Sequence, residues 1–419
     1  MKNTKFIISI LLTIILLFFP ILSFADNSQS PQITAGSAIL IDSSSGKVLY
    51  EKNANQKMYP ASTTKILTAI LALESCKLSD KVTVSYDAIK TIPSGYSIAS
   101  LQAGEEFTLE QLLKVMLVHS ANDAANVIAF YMDGSIEAFA DRMNTKLQEL
   151  GLNDTHFTNP SGMHDSNHYT TAHDMALLMQ YCMKNSTFRQ LAGLKSCSLP
   201  ATDKYEARTF KTTNDLLLDG NYYYPYAIAG KTGYTSEAQN CLVATANKDG
   251  FELISVVFSV GIYENGKSGK FSETKSLFEY GYNNYVIKKI RESGAIATQV
   301  EISNANDGTK YLDLVLKDDI SALMSQAEAD SEIMPQITLL DTPLAPISQG
   351  QVMGTITYQI DGIDYSSDLL ASHNVEVSDF WILTIQIVLL VIILLLLFLM
   401  LSSEKKIEIK SKIHHIYSK

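Results

Sequence analysis

A serine and a lysine lie one helical turn apart at the start of an apolar segment, YPASTTKILTAI, at residues 59–70. Ser62 and Lys65 are three positions apart, so a helix would place them on one face, and Pro60 predicts that the helix begins at Ser62. The N–H groups at a helix start can stabilise an oxyanion near Ser62. An ammonium among apolar residues is desolvated, which lowers its pKa and makes the neutral amine accessible as a general base.

The Ser-x-x-Lys spacing is not specific by itself, because it recurs in the same chain. Ser62 could be a helix cap, and Lys65 could extend its ammonium to water. If this pair were the only signal, that structural explanation would be preferred. Four further copies lie in a turn, on a polar helix face or in the C-terminal tail: Ser44/Lys47, Ser272/Lys275, Ser402/Lys405 and Ser403/Lys406.

Two later motifs favour a catalytic interpretation. HSANDAAN places Ser120 and Asn122 between two predicted helices, where their side chains can face a cleft, although Ser-x-Asn also recurs at Ser372/Asn374. AGKTGYT contains the single Lys-Thr-Gly of the chain, within a predicted strand. Its glycine would let a bound ligand approach the strand backbone, and Lys231 and Thr232 could hold a carboxylate.

The elements around these motifs predict an α+β fold. Segments 37–50 and 241–260 each have the pattern of a β-hairpin. Between them, Thr108 and Gln111 form a capping box before a helix that should end near His119, and helical periodicity continues to Gly151. A last helix is predicted over residues 272–285. This order predicts one antiparallel sheet in which strands from both ends of the domain meet, with helices inserted between them.

Residues 291–375 differ in texture from the preceding part of the chain. Short alternating segments such as KYLDLVLK and QVMGTITYQIDG are separated by turn residues, which predicts a small β domain. This domain contains no dense cluster of reactive side chains, so we expect it to be a spacer between the first domain and a membrane.

Both ends of the chain have targeting features. Residues 1–25 have the charged, apolar and small-residue regions of a secretory signal peptide. Residues 380–401 contain no charged side chain and would form a transmembrane helix of about 33 Å. The basic segment 402–419 should remain in the cytoplasm, so we expect an exported, single-pass membrane protein with its larger part outside.

Charge and cysteine content narrow the function further. The formal net charge is −11, and residues 26–401 alone carry −16, which makes nucleic acid a poor candidate partner. Four cysteines in an exported chain allow three complete disulfide pairings, and buried free thiols fit equally well. They are Cys76, Cys182, Cys197 and Cys241.

Taken together, STTK, SAN and KTG resemble the motifs of penicillin-binding proteins and serine β-lactamases. YPASTTKILTA, LLKVMLVHSANDAA, GLNDTHFTNPSGMHDSNHYTTAHDMALL and AIAGKTGYTSEAQNCLVATA are similar to the D-alanyl-D-alanine carboxypeptidases, the low-molecular-mass penicillin-binding proteins. This resemblance implies a β-lactamase/transpeptidase-like domain over residues 34–290, and APISQGQVMGTITYQIDG resembles the family's C-terminal β domain.

The resemblance also implies a site and a reaction that uses no cofactor and no metal. Ser62 would be the nucleophile, Lys65 its base and Ser120 a proton relay, and Asn122 would orient the substrate amide. The substrate would be a peptidoglycan stem peptide that ends in D-Ala-D-Ala, and penicillin would acylate the same serine. The other positions carried over are Lys231, Thr232 and Gly233 at the substrate carboxylate, and the N–H groups of Ser62 and Tyr234 as the oxyanion hole.

Two other functions are compatible with parts of the sequence. A β-lactamase would share the motifs, and Glu149 fits the Glu-x-x-Leu-Asn pattern of a deacylating glutamate, but it ends an amphipathic helix and is expected to be a solvated carboxylate. A catalytically silent wall-binding or sensor protein would use the tail for signalling, but binding alone does not require a desolvated lysine.

Two further groups of polar residues have simpler explanations than catalysis. Four histidines lie within 18 residues, but their spacing matches no common zinc site, so hydrogen bonding within a loop is expected. Asp123 is expected to be a helix-start residue that the helix dipole favours, rather than an acid or base. The four histidines are His156, His164, His168 and His173.

Overall fold

The computed structural model describes residues 30–90, 92–262, 269–306 and 310–417. The chain divides into two compact units, Met1–Asn284 and Tyr285–Lys419. The signal peptide that the sequence predicts at residues 1–25 lies outside the described residues.

The first unit is built on a five-stranded antiparallel sheet with the order β2-β1-β9-β8-β7. Strand β1 pairs with β9, so strands from the two ends of the unit meet in the middle of the sheet, which confirms the α+β prediction. Most of β8 and β9 is buried, as is typical of strands covered on both faces. The strands of this unit are β1 (Ser37–Asp42), β2 (Val48–Lys52), β3 (Lys81–Thr83), β4 (Glu106–Thr108), β5 (Ser196–Leu199), β6 (Arg208–Lys211), β7 (Ala227–Thr235), β8 (Gln239–Lys248) and β9 (Phe251–Val260).

Helices of the first unit pack around this sheet and form most of its core. The predicted capping box is present: Gln111 N donates to Thr108 Oγ1 at 3.2 Å, and Thr108 N donates to Gln111 Oε1 at 2.8 Å. A turn of 3-10 helix, Ala61–Thr64, leads directly into the first α-helix. The helices are α1 (Lys65–Ser75), α2 (Tyr86–Ile89), α3 (Leu109–Val118), α4 (Asn122–Asp133), α5 (Ile136–Glu149), α6 (Ala172–Met183), α7 (Ser186–Ala192) and α8 (Gly269–Asn284).

Helix α8 starts three residues before the predicted position, Ser272. The reason is Phe271, which is buried and forms one apolar face with Thr274, Leu277 and Phe278 at helical spacing. The helix ends at Asn284, and the second unit begins immediately with a strand.

The second unit is mainly β-structure with its own core of alternating apolar side chains. Five antiparallel strands form a sheet with the order β11-β12-β16-β15-β14, and β10 pairs with β13. The domain boundary predicted at residue 291 falls on the last residue of β10. Its elements are β10 (Tyr285–Arg291), β11 (Ile296–Glu301), β12 (Tyr311–Leu316), β13 (Ile320–Ser325), α9 (Gln326–Ala329), β14 (Gln336–Leu339), β15 (Val352–Ile360), β16 (Ile363–Ala371) and α10 (Asp379–Tyr417).

Helix α10 contains the one segment of the described residues that is long and apolar enough to cross a membrane, Asp379–Ser402. None of that segment is buried inside the protein. A core helix of a soluble domain would be mostly buried, so exposure of these apolar side chains fits contact with lipid.

Candidate active site

Lys65 lies at the start of α1 and is completely buried, with 0% exposure. Its Nζ donates to Ser62 Oγ at 2.9 Å, to Asn122 Oδ1 at 2.7 Å and to the Ser161 carbonyl oxygen at 2.6 Å. Burial lowers the Lys65 pKa well below its ordinary value, and the positive charge of Lys231 lowers it further. The lowered pKa that the sequence predicts is therefore confirmed.

These three contacts determine what a neutral Lys65 amine can do. A neutral amine has two N–H donors and one lone pair, whereas the carbonyl oxygens of Asn122 and Ser161 can only accept hydrogen bonds. Both N–H groups are needed for those two oxygens, so the lone pair faces the Ser62 hydroxyl, which is able to donate. This arrangement allows Lys65 to take the proton of Ser62.

The neighbouring threonines stabilise the backbone around Ser62. Thr63 Oγ1 donates to the Pro60 carbonyl oxygen at 2.8 Å, and Thr64 Oγ1 donates to the Ala61 carbonyl oxygen at 2.9 Å. Ala61 itself has a positive φ of 47°, which is uncommon for a residue other than glycine. Of the three hydroxyl side chains in this motif, that of Ser62 alone bonds to Lys65.

The loop at residues 159–163 provides the third acceptor of Lys65. Asn159 Oδ1 accepts hydrogen bonds from the N–H groups of residues 161, 162 and 163, which fixes a tight turn. Gly162 has a φ of 78°, and a Cβ at this position would lie 1.8 Å from the Ala61 carbonyl oxygen. Glycine is therefore required for this loop to approach the turn that contains Ser62.

Ser120 lies in the turn after α3 and Asn122 is the first residue of α4, at the junction of two helices, as the sequence predicts. Asn122 Oδ1 accepts from Lys65, and its Nδ2 donates to the Ser97 carbonyl oxygen at 3.0 Å, so the side-chain amide has a defined orientation. One Nδ2 hydrogen remains for another acceptor. Ser120 has a φ of 66°, and within the described residues its hydroxyl has no hydrogen-bond partner.

Lys231 and Thr232 lie on β7, at the edge of the five-stranded sheet. Lys231 is buried, and its Nζ donates to the Thr232 carbonyl oxygen at 2.8 Å. Burial, together with the charge of Lys270, lowers the Lys231 pKa to about 7. Thr232 Oγ1 shares a hydrogen bond with Thr213 Oγ1. The lysine is therefore poised to regain its full charge when an anion binds nearby.

Gly233 lies where another part of the chain closely approaches strand β7. A Cβ at this position would lie 2.9 Å from the Pro60 carbonyl oxygen and 3.1 Å from Ser62 N. The chain's own segment 60–62 therefore approaches the strand at this glycine, and the approach of a ligand to the strand backbone there stays a prediction. Gly233 therefore allows the Lys-Thr-Gly strand and the nucleophile turn to come into contact.

The predicted site residues lie in and below one cleft of about 540 Å³. Six of them line it: Ser62, Ser120, Asn122, Thr232, Gly233 and Tyr234. Lys65 and Lys231 are buried and do not line it. Three motifs that are far apart in the sequence thus form one site, with an exposed Tyr234 on its wall.

No sequence pattern indicated several other residues that line the cleft. Lys270 is the second residue of α8 and donates to Asn240 Oδ1 at 3.2 Å, and a lone lysine after a glycine carries no recognisable signal. The remaining wall residues come from loops whose path could not be predicted from periodicity. They include Tyr96, Ser97, His119, Thr213 and Glu237.

Asp123 has a structural role, as expected for a helix-start residue. Its buried carboxylate accepts from the N–H groups of Ala99 at 2.9 Å, Leu101 at 3.0 Å and Ala124 at 2.9 Å. Although these bonds lower its pKa, burial has the larger effect and raises it. Asp123 thereby holds the loop that forms one wall of the cleft.

Two of the four clustered histidines, His156 and His168, form loop hydrogen bonds, as predicted. His168 Nδ1 accepts from Thr158 N at 3.0 Å, so its Nε2–H donates to Thr64 Oγ1 at 2.8 Å. Burial lowers the His168 pKa to about 3, which keeps the ring neutral. His156 Nδ1 lies 2.7 Å from the Asn167 carbonyl oxygen. No group of three or more metal-binding side chains occurs in the part of the chain that the structure describes.

Neither Glu149 nor any of the four cysteines lines the cleft. The Glu149 side chain is 62% exposed at the end of α5 and does not line the cleft, as expected for a solvated carboxylate. All four cysteines are free, and burial raises the pKa of the Cys241 thiol to about 12. The sequence left disulfide bonds and free thiols open as alternatives, and the structure shows free thiols.

Comparisons with known proteins agree with this geometry. The family model described as D-alanyl-D-alanine carboxypeptidase, peptidase S11, matches residues 25–261, and that of the penicillin-binding protein 5 C-terminal domain matches residues 285–377. The chain is 33% identical to D-alanyl-D-alanine carboxypeptidase DacF of Bacillus subtilis over 364 residues, which cover 84% of this chain and 90% of that relative.

Solved structures extend the similarity to the fold. Penicillin-binding protein 5 of Haemophilus influenzae is 28% identical to this chain, and the two structures match with a TM-score of 0.64. The match covers 83% of this chain and 98% of that one. A peptidoglycan synthesis regulatory factor of Streptococcus pneumoniae is 26% identical and matches with a TM-score of 0.68. This match covers 82% of this chain and 100% of that one. The fold is thus that of penicillin-binding protein 5, with a penicillin-binding domain followed by a C-terminal all-β domain. The chain belongs to the D-alanyl-D-alanine carboxypeptidases, the S11 family of serine peptidases.

Proposed function

We propose that this enzyme removes the terminal D-alanine from peptidoglycan stem peptides through an acyl-enzyme on Ser62, and that penicillin acylates the same residue. The observation that carries the proposal is the geometry of Lys65, a buried lysine whose neutral form directs its lone pair at the Ser62 hydroxyl. A purely structural lysine would not require this combination of burial and acceptors.

The first step forms the acyl-enzyme. Lys65 takes the proton from Ser62 Oγ, which attacks the carbonyl carbon of the penultimate D-alanine. The N–H groups of Ser62 and Tyr234 stabilise the resulting oxyanion. Ser120 relays the proton to the departing amine, and free D-alanine leaves. A water molecule then attacks the ester carbonyl carbon, and Lys65 takes the proton of the water. As the bond between the carbonyl carbon and Ser62 Oγ breaks, this proton passes to Ser62 Oγ and restores the hydroxyl.

Substrate binding uses the cationic side of the cleft. Lys231 and Thr232 bind the terminal carboxylate, and Lys270 adds a second positive charge close to Lys231. Two cations and a hydroxyl match a carboxylate in charge and in hydrogen-bonding capacity. Asn122 uses its remaining Nδ2 hydrogen to orient the substrate amide.

The location of the enzyme follows from the ends of the chain. We infer that residues 1–25 direct export and that residues 380–401 anchor the protein in the membrane, with residues 402–419 in the cytoplasm. Residues 34–290 would then act on the cell wall, and residues 291–375 would be the spacer between the catalytic domain and the membrane. The exposed apolar surface of α10 supports the membrane anchor.

Intact-mass analysis with benzylpenicillin tests the nucleophile. We expect one covalent adduct on the wild type and on Ser272→Ala, a matched control in which another Ser-x-x-Lys serine is removed, and no adduct on Ser62→Ala. D-alanine release from a pentapeptide should follow the same pattern. An adduct that survives Ser62→Ala would refute the proposal, as would rapid penicillin turnover without D-alanine release, the behaviour of a β-lactamase. Binding of wall fragments without acylation would instead indicate the silent sensor.

A further inference from the structure

The edge of β7 offers a backbone surface to an extended peptide. Among the described strands β7 pairs only with β8, so its other edge has unpaired hydrogen-bonding groups. The cleft extends along this edge from Thr232 to Glu237. An extended peptide can add to such an edge as another strand.

The proposed function determines the direction in which the peptide lies. The terminal carboxylate would lie beside Lys231 and Thr232, and the reacting carbonyl beside Ser62 and Tyr234. Both strands advance by about 3.3 Å per residue. The third stem residue, which precedes D-Ala-D-Ala, would therefore lie next to the segment 235–237 that follows the oxyanion position.

Glu237 is the distinctive charged group in this segment. Of the cleft-lining residues in the described part of the chain, it alone has a carboxylate. Its side chain is exposed, and no described cation pairs with it. The other charged lining residue is Lys270, which donates to Asn240 instead. A carboxylate on the wall of a substrate cleft that has no cationic partner among the described residues is available to a cationic substrate group.

We propose that Glu237 selects stem peptides whose third residue has a free side-chain amine. This inference rests on the proposed function, and it adds the substrate class. Acylation of that amine, as occurs when a stem becomes cross-linked, removes its positive charge and the attraction to Glu237. The enzyme would therefore prefer stems whose third-residue amine has not been acylated by cross-linking.

The test compares two peptides that differ only in this charge: Nα-acetyl-L-Lys-D-Ala-D-Ala and the same peptide with an acetylated ε-amine. D-alanine release by the full-length enzyme should favour the free amine by about two- to five-fold in kcat/KM, mainly through KM, because an exposed ion pair contributes about that factor. High salt should reduce the preference. Glu237→Gln should abolish it, and Glu237→Lys should reverse it.

Matched variants distinguish a local contact from a general charge effect. Glu51→Gln removes the same charge from an exposed position on β2, outside the cleft, and should retain the full preference. Glu237→Asp should retain part of it. Equal rates for the two wild-type reactions, or a preference that persists in Glu237→Gln, would overturn the assignment. Failure to release D-alanine from either peptide would instead refute the proposed function.

Discussion

Replacement of Gly162 by alanine should damage the site without touching any reacting group. The new Cβ would lie 1.8 Å from the Ala61 carbonyl oxygen, whereas Cβ atoms essentially never lie within 3.0 Å of such an atom. The loop and the Ser62 turn must therefore separate by more than about 1 Å, and a reacting group displaced by about 1 Å can lose about 10²-fold in rate.

The cost to stability has two parts that a control variant can separate. A positive φ costs a residue other than glycine about 1–2 kcal/mol, and forced overpacking adds about 1–3 kcal/mol. Gly134 ends α4 with a φ of 79°, nearly that of Gly162, but has nothing within 4 Å of a Cβ. Gly134→Ala should therefore lose only the stability that the positive φ costs, whereas Gly162→Ala should also lose the stability that overpacking costs.

Two measurements check this prediction on the full-length protein. Urea unfolding of the first unit gives the difference in free energy of unfolding between the two variants. The second-order rate of acylation by a fluorescent penicillin, measured at a temperature at which both are folded, reports on Ser62. If Gly162→Ala were as stable and as rapidly acylated as Gly134→Ala, the claim that this glycine positions the nucleophile turn would be wrong.

Three further predictions follow from charged and polar groups in the first unit. Because the Lys231 pKa is about 7, KM for a D-Ala-D-Ala peptide should increase above pH 7, by up to about tenfold per unit, and Lys231→Arg should remove that increase. The His168 pKa of about 3 lies below its unfolded value of about 6.5, so the unfolded state binds more protons between these values. Stability measured by urea unfolding should therefore fall as pH decreases from 6.5 towards 3, less steeply in His168→Gln. Arg208→Met leaves the buried Glu105 carboxylate without its cation, which lies at 2.7 Å, and should lower the free energy of unfolding by about 3–5 kcal/mol.

Each of these predictions has a result that would contradict it. A KM that does not vary with pH in the wild type would mean that Lys231 keeps its charge throughout. An unchanged pH dependence of stability in His168→Gln would show that other groups cause it. For the ion pair, the double variant Arg208→Met/Glu105→Gln should recover part of the lost stability, and no recovery would indicate that packing around Arg208 is responsible.

The sequence predicted the site well where a local pattern places the backbone. The Thr108–Gln111 capping box defines the start of α3, and Ser62 and Lys65 share a helix turn, so their proximity follows from local geometry. The pairing of β8 with β9 follows from the hairpin predicted over residues 241–260. Local rules were sufficient in these places because each contact joins residues close in the sequence, or elements of clear periodicity.

The contacts that the sequence did not predict join loops to distant elements. The Ser161 carbonyl oxygen accepts from Lys65 across 96 positions, and a backbone carbonyl has no side-chain identity that a pattern could reveal. The sequence also did not predict that segment 60–62 of the chain itself approaches Gly233. Glu237 reaches the cleft from a turn and Lys270 from the first turn of α8, and the placement of both depends on tertiary packing.

The three acceptors around Lys65 Nζ have a consequence for reorganisation during turnover. The protonated amine has three N–H groups, and the same three oxygens, those of Ser62, Asn122 and Ser161, can accept all of them. The neutral amine is equally satisfied when the Ser62 hydroxyl reverses its donor direction. Proton transfer in either direction thus requires movement of hydrogen but not of heavy atoms. A base of this kind can be reset within each cycle without rearrangement of the surrounding protein.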